Sequence, residues 1–213
     1  MTSLAEHADR VAARAMALAD DSTGRVIVAI AGPPGSGKST LADAVVERLN
    51  ASAAPVAVAV PMDGFHFDDA VLHARGQRPR KGAPFTFDVA GYRALLHRLR
   101  DGSETEIAAP LFDRDLELSR GSARIVTPEM CFIVTEGNYL LLDADPWRSL
   151  VPLFDLTVFL DVPDAELQRR LEARWVHYGL SPEQIADKIG LNDLPNARLI
   201  RDGSMTADLI LPG

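Results

Sequence analysis

The run Gly32-Pro33-Pro34-Gly35-Ser36-Gly37-Lys38-Ser39, with Thr40 next, fits the spacing G-x-x-x-x-G-K-[ST] at every fixed position. Glycines at those places let the backbone curl until successive N–H groups point inward as an anion nest. A helix that starts at the lysine adds its positive N-terminal end. In that arrangement Lys38 reaches the β- and γ-phosphates of a nucleoside triphosphate, the Ser39 hydroxyl completes the coordination of Mg²⁺, and Thr40 flanks the α-phosphate. The bland alternative is a glycine loop that only makes a tight turn between a strand and a helix.

Such a loop identifies a user of nucleoside triphosphates, not the use. Three further features bear on that. In Pro61-Met62-Asp63-Gly64-Phe65-His66 a carboxylate follows an apolar run, and Asp63 there either takes the proton of a substrate hydroxyl or caps a turn. Phe132-Ile133-Val134-Thr135-Glu136-Gly137 is an apolar run ending in an acid, and two roles stand open for Glu136, at the metal beside Ser39 or at the substrate. Arg169, Arg170 and Arg174 follow Pro163, with Arg170 and Arg174 one helical turn apart. They read either as lid groups that neutralise charge on a transferring phosphoryl group or as surface partners of Glu166. A basic stretch, Arg75, Arg78, Arg80 and Lys81, has no acid between Asp69 and Asp88, so it either steers an anion or forms a solvated loop.

These groups need elements to hold them. Residues 3–20 are expected to form a helix, since Ser3 and Glu6 have capping-box spacing and Leu4, Val11, Ala15 and Leu18 recur near helical period. Residues 25–31, 56–60, 131–135 and 156–160 read as buried strands, with shorter ones at 105–109, 124–127 and 207–211. Helices are expected over 38–50, 88–100 and 163–178, and another from Ser181. Alternation of this kind predicts an α/β domain covering 1–213, with a mostly parallel sheet flanked by helices on both faces and ligands at the carboxyl ends of the strands. The irregular stretch 63–87 is too long for a plain connection and reads as a functional or mobile loop.

Composition sets the limits. The chain has 213 residues, 47% hydrophobic and 24% charged, enough to bury a substantial core. Its formal charge of −8 argues against a general nucleic-acid or acidic-membrane binder. No stretch is apolar enough to insert in a membrane, and Glu6, Asp9, Arg10 and Arg14 break up any secretory h-region, so a cytoplasmic location is expected. Cys131 is expected as a buried, reduced thiol. No asparagine begins the Asn-Lys-x-Asp motif of guanine-reading switches, and the histidines lack metal-ligand spacing.

With these residues in hand, the chain resembles the phosphoribulokinase, uridine kinase and bacterial pantothenate kinase family of phosphate-loop kinases. The carriers are the phosphate loop, Asp63-Gly64-Phe65-His66, Arg80-Lys81-Gly82-Ala83-Pro84 with Phe87-Asp88, Glu136-Gly137-Asn138-Tyr139, the Arg169 to Arg174 segment, and Ala207-Asp208-Leu209-Ile210. The resemblance implies the P-loop NTPase fold with a helical lid at about 164–190 and an acceptor loop at about 63–87. It also implies transfer of the γ-phosphoryl group of ATP, with Mg²⁺, to a small-molecule alcohol. By the same resemblance Asp63 is the base and Pro110, Phe112, Asp113 and Arg114 lie near the acceptor; Lys38 with Arg169 or Arg174 is expected to act on the phosphates, and His66, Arg80, Lys81 and Glu136 are further candidates at the acceptor. Residues 192–201 are then expected near the adenine. The string Pro-Met-Asp-Gly-Phe-His followed by Arg-Lys-Gly-Ala-Pro looks most like bacterial fructose-transport-associated kinases, which makes a sugar such as fructose the first expectation. A nucleoside kinase, a pantothenate-like kinase and a partner-regulated NTPase without an acceptor are the alternatives.

Overall fold

The fold is that of a computed structural model, which describes residues 3–20, 24–51 and 56–213. Helix α1 (Leu4–Asp20) opens with the expected reciprocal cap: the Ser3 N–H donates to Glu6 Oε2 at 2.6 Å and the Glu6 N–H to Ser3 Oγ at 3.2 Å. Strand β1 (Val26–Ala31) follows, buried at every position, then α2 (Lys38–Leu49) and β2 (Ala57–Ala59). Next come α3 (Asp69–Ala74), α4 (Val89–Asp101), β3 (Ile107–Asp113), β4 (Leu118–Val126), β5 (Phe132–Gly137) and β6 (Leu156–Asp161). Helices α5 (Asp164–His177), α6 (Pro182–Lys188) and α7 (Leu194–Gly203) precede the last strand, β7 (Leu209–Pro212).

The central sheet runs β2-β5-β1-β6-β7, and every pairing in it is parallel. The chain leaves β1 for β2 on one side and later returns to β6 on the other. That reversal opens a crevice at the carboxyl end of β1, where ligands bind in sheets of this kind. Because both faces are covered, successive residues of β1 go to opposite cores. Val26, Val28 and Ile30 pack with α1 and α2, while Ile27, Ala29 and Ala31 pack with α4, Trp147 and Ile200 of α7. A strand buried on both faces has no polar alternation to show, and this is why its sequence is an unbroken apolar run.

Two expectations need correction, and one open alternative is resolved. The short strands at 105–109 and 124–127 do not join the parallel sheet; they are β3 and β4, longer than expected and paired antiparallel as a separate hairpin. Strand content was legible, but partner choice depends on side chains far away in sequence. Cys131 is exposed, because β5 begins one residue later and the cysteine lies in the turn before it. The 63–87 stretch is ordered by α3, by 3-10 turns at Met62–Phe65, Arg78–Arg80 and Pro84–Thr86, and by a β-bridge between His66 and Phe87. α7 and the π-helical turn Ile189–Asp193 before it were not expected at all.

Two polar clamps hold the layers in register. The buried Arg25 donates to the carbonyls of Met130, Leu99 and Thr127 at 3.0, 2.9 and 3.1 Å, which ties the start of β1 to the end of α4 and to the β4–β5 connection. Toward the β7 edge of the sheet, Asp208 Oδ2 accepts from the Thr157 N–H at 2.8 Å and from its hydroxyl at 2.6 Å, while the Asp208 N–H donates back to Thr157 Oγ1 at 2.9 Å. The hydrogen bonds from the Thr157 side chain lead in holding the Asp208 carboxyl below the usual carboxylate range. A carboxyl whose pKa is lower folded than unfolded stabilises the fold above its unfolded value and loses that contribution as pH falls through the folded one. Asp208→Ala is therefore expected to cost ~1 kcal/mol at neutral pH. In urea denaturation the gap to the parent protein should close as pH drops below about 4; a gap that stays constant or widens in acid refutes the clamp.

Candidate active site

The loop 32–37 leaves β1 and turns back into α2, whose N-terminal cap is Gly37 at φ +91°. This left-handed conformation is open to glycine at little cost, and it lets the first N–H groups of α2 face the loop interior. Lys38 is buried, with Nζ donating to the Pro33 carbonyl at 3.3 Å. Burial pushes its pKa down, while Glu136 and then Asp63 pull it up. The Ser39 hydroxyl donates to Glu136 Oε1 at 2.9 Å, so the hydroxyl of α2 and the carboxylate at the end of β5 meet across the crevice. The Ser36 hydroxyl is buried in the loop and has no hydrogen-bond partner among the described residues.

Asp63 stands in the 3-10 turn just past β2. Its position is fixed by the residue after it, because a Cβ at Gly64 would fall 2.4 Å from the Pro110 carbonyl oxygen of β3. The same hairpin delivers Arg114, whose Nη2 donates to Asp63 Oδ2 at 2.7 Å. Burial works against ionising Asp63, yet His66 when protonated, Arg114, Lys38 and Arg174 together hold its carboxyl below the usual range. Glu136 goes the other way: burial raises it, and the charge of Asp63 raises it further, against the pull of Lys38 and the Ser39 hydrogen bond. Two neighbouring carboxyls are thus driven apart, Asp63 downward and Glu136 upward, and the two titrate as a pair.

The arginines of α5 divide in an unexpected way. Arg169 is 68% exposed and makes two 2.7 Å hydrogen bonds to Glu166, so it sits on the outer surface and does not line the cavity. Arg170 also pairs with Glu166, at 2.6 Å, and its Nη1 donates to the Ser36 carbonyl of the phosphate loop at 3.1 Å. Hydrogen bonds from Arg169 and then Arg170 draw the Glu166 carboxyl down to about 2. Arg174 lines the cavity and lies 5.0 Å over the Trp175 ring. Helical spacing alone put Arg170 and Arg174 on one face; the phosphate-loop contact selects Arg170 where Arg169 had been expected.

The basic stretch of the acceptor loop is largely neutralised. Asp69 accepts from Arg78 at 2.6 Å and from Lys81 at 2.7 Å, and Arg75 lies 4.3 Å over the Phe67 ring. Arg80 donates to Asn192 Oδ1 at 3.3 Å outside the cavity lining, whereas Lys81, His66, Phe112 and Arg114 line it. Asn192 and Asn196 face this loop: Asn192 Nδ2 donates to the Lys81 carbonyl at 3.0 Å and Asn196 Nδ2 to that of Gly82 at 3.5 Å. The 192–201 segment thus begins against the acceptor loop. The π-turn that sets these asparagines had no signal in the hydrophobic period.

All of this surrounds one cavity of about 450 Å³. Its floor is the phosphate loop with Asp63 and Glu136, one wall is the 63–87 loop and the hairpin, and the other is α5 with the segment up to Asn196. Two carboxylates, a buried lysine and an N–H nest at the carboxyl edge of a parallel sheet, under a helical lid, define a P-loop kinase fold. A sequence profile of the phosphoribulokinase / uridine kinase family matches residues 27–213, and the chain belongs to that family.

Among its relatives, the crystal structure of a "putative fructose transport system kinase" from Silicibacter sp. TM1040 is 42% identical, covering 95% of this chain and 98% of that one at a TM-score of 0.86. The "Uncharacterized protein YggC" of Escherichia coli is 35% identical over 189 residues, 88% of this chain and 77% of its own length. The "Putative uridine kinase C227.14" of Schizosaccharomyces pombe is 30% identical over 194 residues, 88% and 83% respectively.

The Gly64 contact is directly testable. Gly64→Ala is expected to destabilise the fold by ~1–3 kcal/mol, because backbone blocks the added methyl, while leaving nucleotide binding at the loop in place. Gly121→Ala, where a Cβ meets nothing, serves as the control and should leave stability unchanged. Equal denaturation midpoints for the two variants would show that β3 does not press on this turn.

Proposed function

We propose that the chain is an ATP- and Mg²⁺-dependent kinase that transfers the γ-phosphoryl group to a hydroxyl of a small molecule, a sugar such as fructose. The observation that carries this reading is the placement of Asp63 and Glu136 side by side over the phosphate loop, in a cavity whose lining extends past the loop to the 63–87 segment and the hairpin. A partner-regulated NTPase has no need of the acceptor wall. The sugar rests on the string around Asp63 and on the name borne by the 42% identical relative.

The residues present fit the triphosphate and its metal. The N–H groups around Gly37 and Lys38 suit phosphate oxygens, and the unpartnered Ser36 hydroxyl lies in the same loop. Ser39 and Glu136 already share a hydrogen bond and are both hard oxygen donors, the kind Mg²⁺ takes. Ser39 and Glu136 would hold Mg²⁺, which would supply positive charge against the phosphates.

The chain's own groups do the rest. Asp63, ionised at neutral pH, accepts the proton of the acceptor hydroxyl as the new P–O bond forms and the bond to the β-phosphate oxygen breaks, giving ADP and a phosphorylated product. Lys38 counters the charge at the outer phosphates, and Arg174 faces the same space from α5. Arg169, expected in this role, is held outside by Glu166, and Arg170 supports the loop through the Ser36 carbonyl. Because the transition state of such transfers is loose, positioning and charge neutralisation supply most of the rate.

The test is ADP release from Mg-ATP against fructose, other sugars, uridine, cytidine, ribulose 5-phosphate and pantothenate, with the product identified by mass. Stimulation by an acceptor is expected, strongest with a sugar. Asp63→Asn should lower turnover by about 100-fold or more while still binding ATP. Near-normal transfer by that variant would remove Asp63 from the role, and ATP turnover indifferent to every acceptor would favour the partner-regulated NTPase.

A further inference from the structure

We propose that Asp193 and Asn196 form a second binding point for the acceptor, on the lid side of the cavity, where Asp193 Oδ1 and Asn196 Oδ1 each accept a hydrogen bond from a hydroxyl remote from the one that is phosphorylated; this deepens the kinase reading above and rests on it. Both residues line the cavity, and both are buried, at 6% and 3% exposed. Asp193 ends the π-helical turn, and Asn196 lies in the first turn of α7, which continues it without a break. Three residues apart on one helix, they are neighbours on the same face.

Hydrogen bonds to the rest of the chain leave one oxygen of each residue over. Trp175 Nε1 donates to Asp193 Oδ2 at 2.7 Å, and nothing among the described residues donates to Oδ1. The amide of Asn196 is oriented by a relay of contacts. The Lys81 carbonyl can only accept, so Asn192 Nδ2 is the atom 3.0 Å from it, and Asn192 Oδ1 is left to accept from Arg80 and from Asn196 Nδ2, both at 3.3 Å. The same Nδ2 faces the Gly82 carbonyl at 3.5 Å, so Oδ1 is the end of Asn196 without a partner. Among the described residues, the unpartnered side-chain atoms sealed from solvent are on Ser36, Gln77, Trp147 and Ser204, so the two free oxygens stand open to the cavity. Each is an acceptor held in place before the ligand arrives, which lowers the cost of binding.

The pair belongs to the acceptor end of the cavity. Asn192 and Asn196 brace the Lys81 and Gly82 carbonyls of the acceptor loop. Arg174 and Tyr139 each lie in the field of both Asp63 and Asp193, so the two carboxylates look into one space. The chemistry of the pair selects hydroxyl donors. A carboxylate repels a phosphate or carboxylate of the ligand at this point. An ammonium is not needed, because Lys188 and Arg174, 5.1 and 5.0 Å over the Trp175 ring, already answer the charge of Asp193. Neutral O–H groups remain. The acceptor is then a polyol that gives one hydroxyl to Asp63 and two others to Asp193 and Asn196.

The experiment is a cycle between side chain and hydroxyl. Fructose, ribose and uridine are compared as acceptors, each beside its monodeoxy analogues, on the parent protein, on Asp193→Asn and on Asn196→Ala. Asp193→Asn keeps an oxygen for Trp175 and puts an NH₂ where the free oxygen stood. Asn196→Ala removes the second oxygen, and the Gly82 carbonyl keeps its 2.7 Å hydrogen bond from Tyr139. On the parent, loss of either remote hydroxyl is expected to lower acceptor kcat/KM about 10-fold, the equivalent of one hydrogen bond. Each variant should show that loss with the full sugar, chiefly as a higher acceptor KM, and no further loss with the analogue lacking the hydroxyl it holds. Equal losses on every acceptor would mark a merely structural role and overturn the proposal. A parent protein indifferent to every deoxy replacement overturns it without any variant, as does an amino sugar that is preferred to its hydroxyl counterpart.

A second measurement needs no turnover. In NMR titrations with a non-hydrolysable ATP analogue bound, at least one of fructose, ribose and uridine should bind the parent about 10-fold more tightly than it binds Asp193→Asn. If no acceptor stimulates ADP release, the kinase reading fails by itself. The titration still decides the pair: a polyol that binds the parent and is weakened by both substitutions upholds it, and failure of all three to bind refutes it.

Discussion

Four charged side chains, Lys38, Asp63, Arg114 and Glu136, meet at the carboxyl edge of the sheet, and the architecture is arranged to make that juxtaposition tolerable. Burying one unpaired charge is very unfavourable; burying a set is acceptable only when each has a partner and a hydrogen bond. Here Asp63 is paired with Arg114, and Glu136 accepts from Ser39. Lys38 lies within the field of both carboxylates while donating to the Pro33 carbonyl. No single element could bring these together. Lys38 and Ser39 ride on the start of α2, Glu136 on the end of β5, Asp63 on the turn after β2, and Arg114 on the hairpin. The parallel order β2-β5-β1 places the first three along one edge.

The hairpin is what a bare parallel sheet would lack. β3 presses the Pro110 carbonyl against Gly64, β4 holds the His66 carbonyl through Ser119, and the hairpin supplies Arg114 and Phe112 to the cavity. A second brace comes from the far end of the chain. Asn192 and Asn196 donate to the Lys81 and Gly82 carbonyls, and the Tyr139 hydroxyl reaches the Gly82 carbonyl at 2.7 Å. The acceptor loop, irregular in sequence, is therefore ordered from outside itself: its carbonyls are satisfied by side chains from three other segments. This is how a long connection is held in place beyond what its own short helix and 3-10 turns supply.

That arrangement explains what could be read from sequence. The phosphate loop, the buried strands and the helix carrying Arg170 and Arg174 were legible, because their chemistry lies within a few consecutive residues or one period. The cap at Ser3 and Glu6 was legible for the same reason. The hairpin's separation from the sheet was not, since a strand's pattern does not name its partner. Nor was the difference between Arg169 and Arg170, which turns on a carbonyl 134 residues away. Cys131 was misplaced by one residue at a strand boundary, the least determinate feature of any apolar run. The π-turn before α7 hides within an ordinary helical period, and only the hydrogen bonds of Asn192 reveal its use.

The two ends of the cavity consequently differ in how they can change. At the phosphate end the backbone N–H groups of one short loop do the work, braced by two distant contacts, Glu136 to Ser39 and Arg170 to the Ser36 carbonyl. At the acceptor end the decisive contacts span 51 residues from Arg114 to Asp63 and 111 from Asn192 to Lys81. Substitution in the hairpin or near the π-turn therefore alters the lining at the Asp63 and Lys81 end, and reaches Lys38 and Glu136 only through the charge of Arg114.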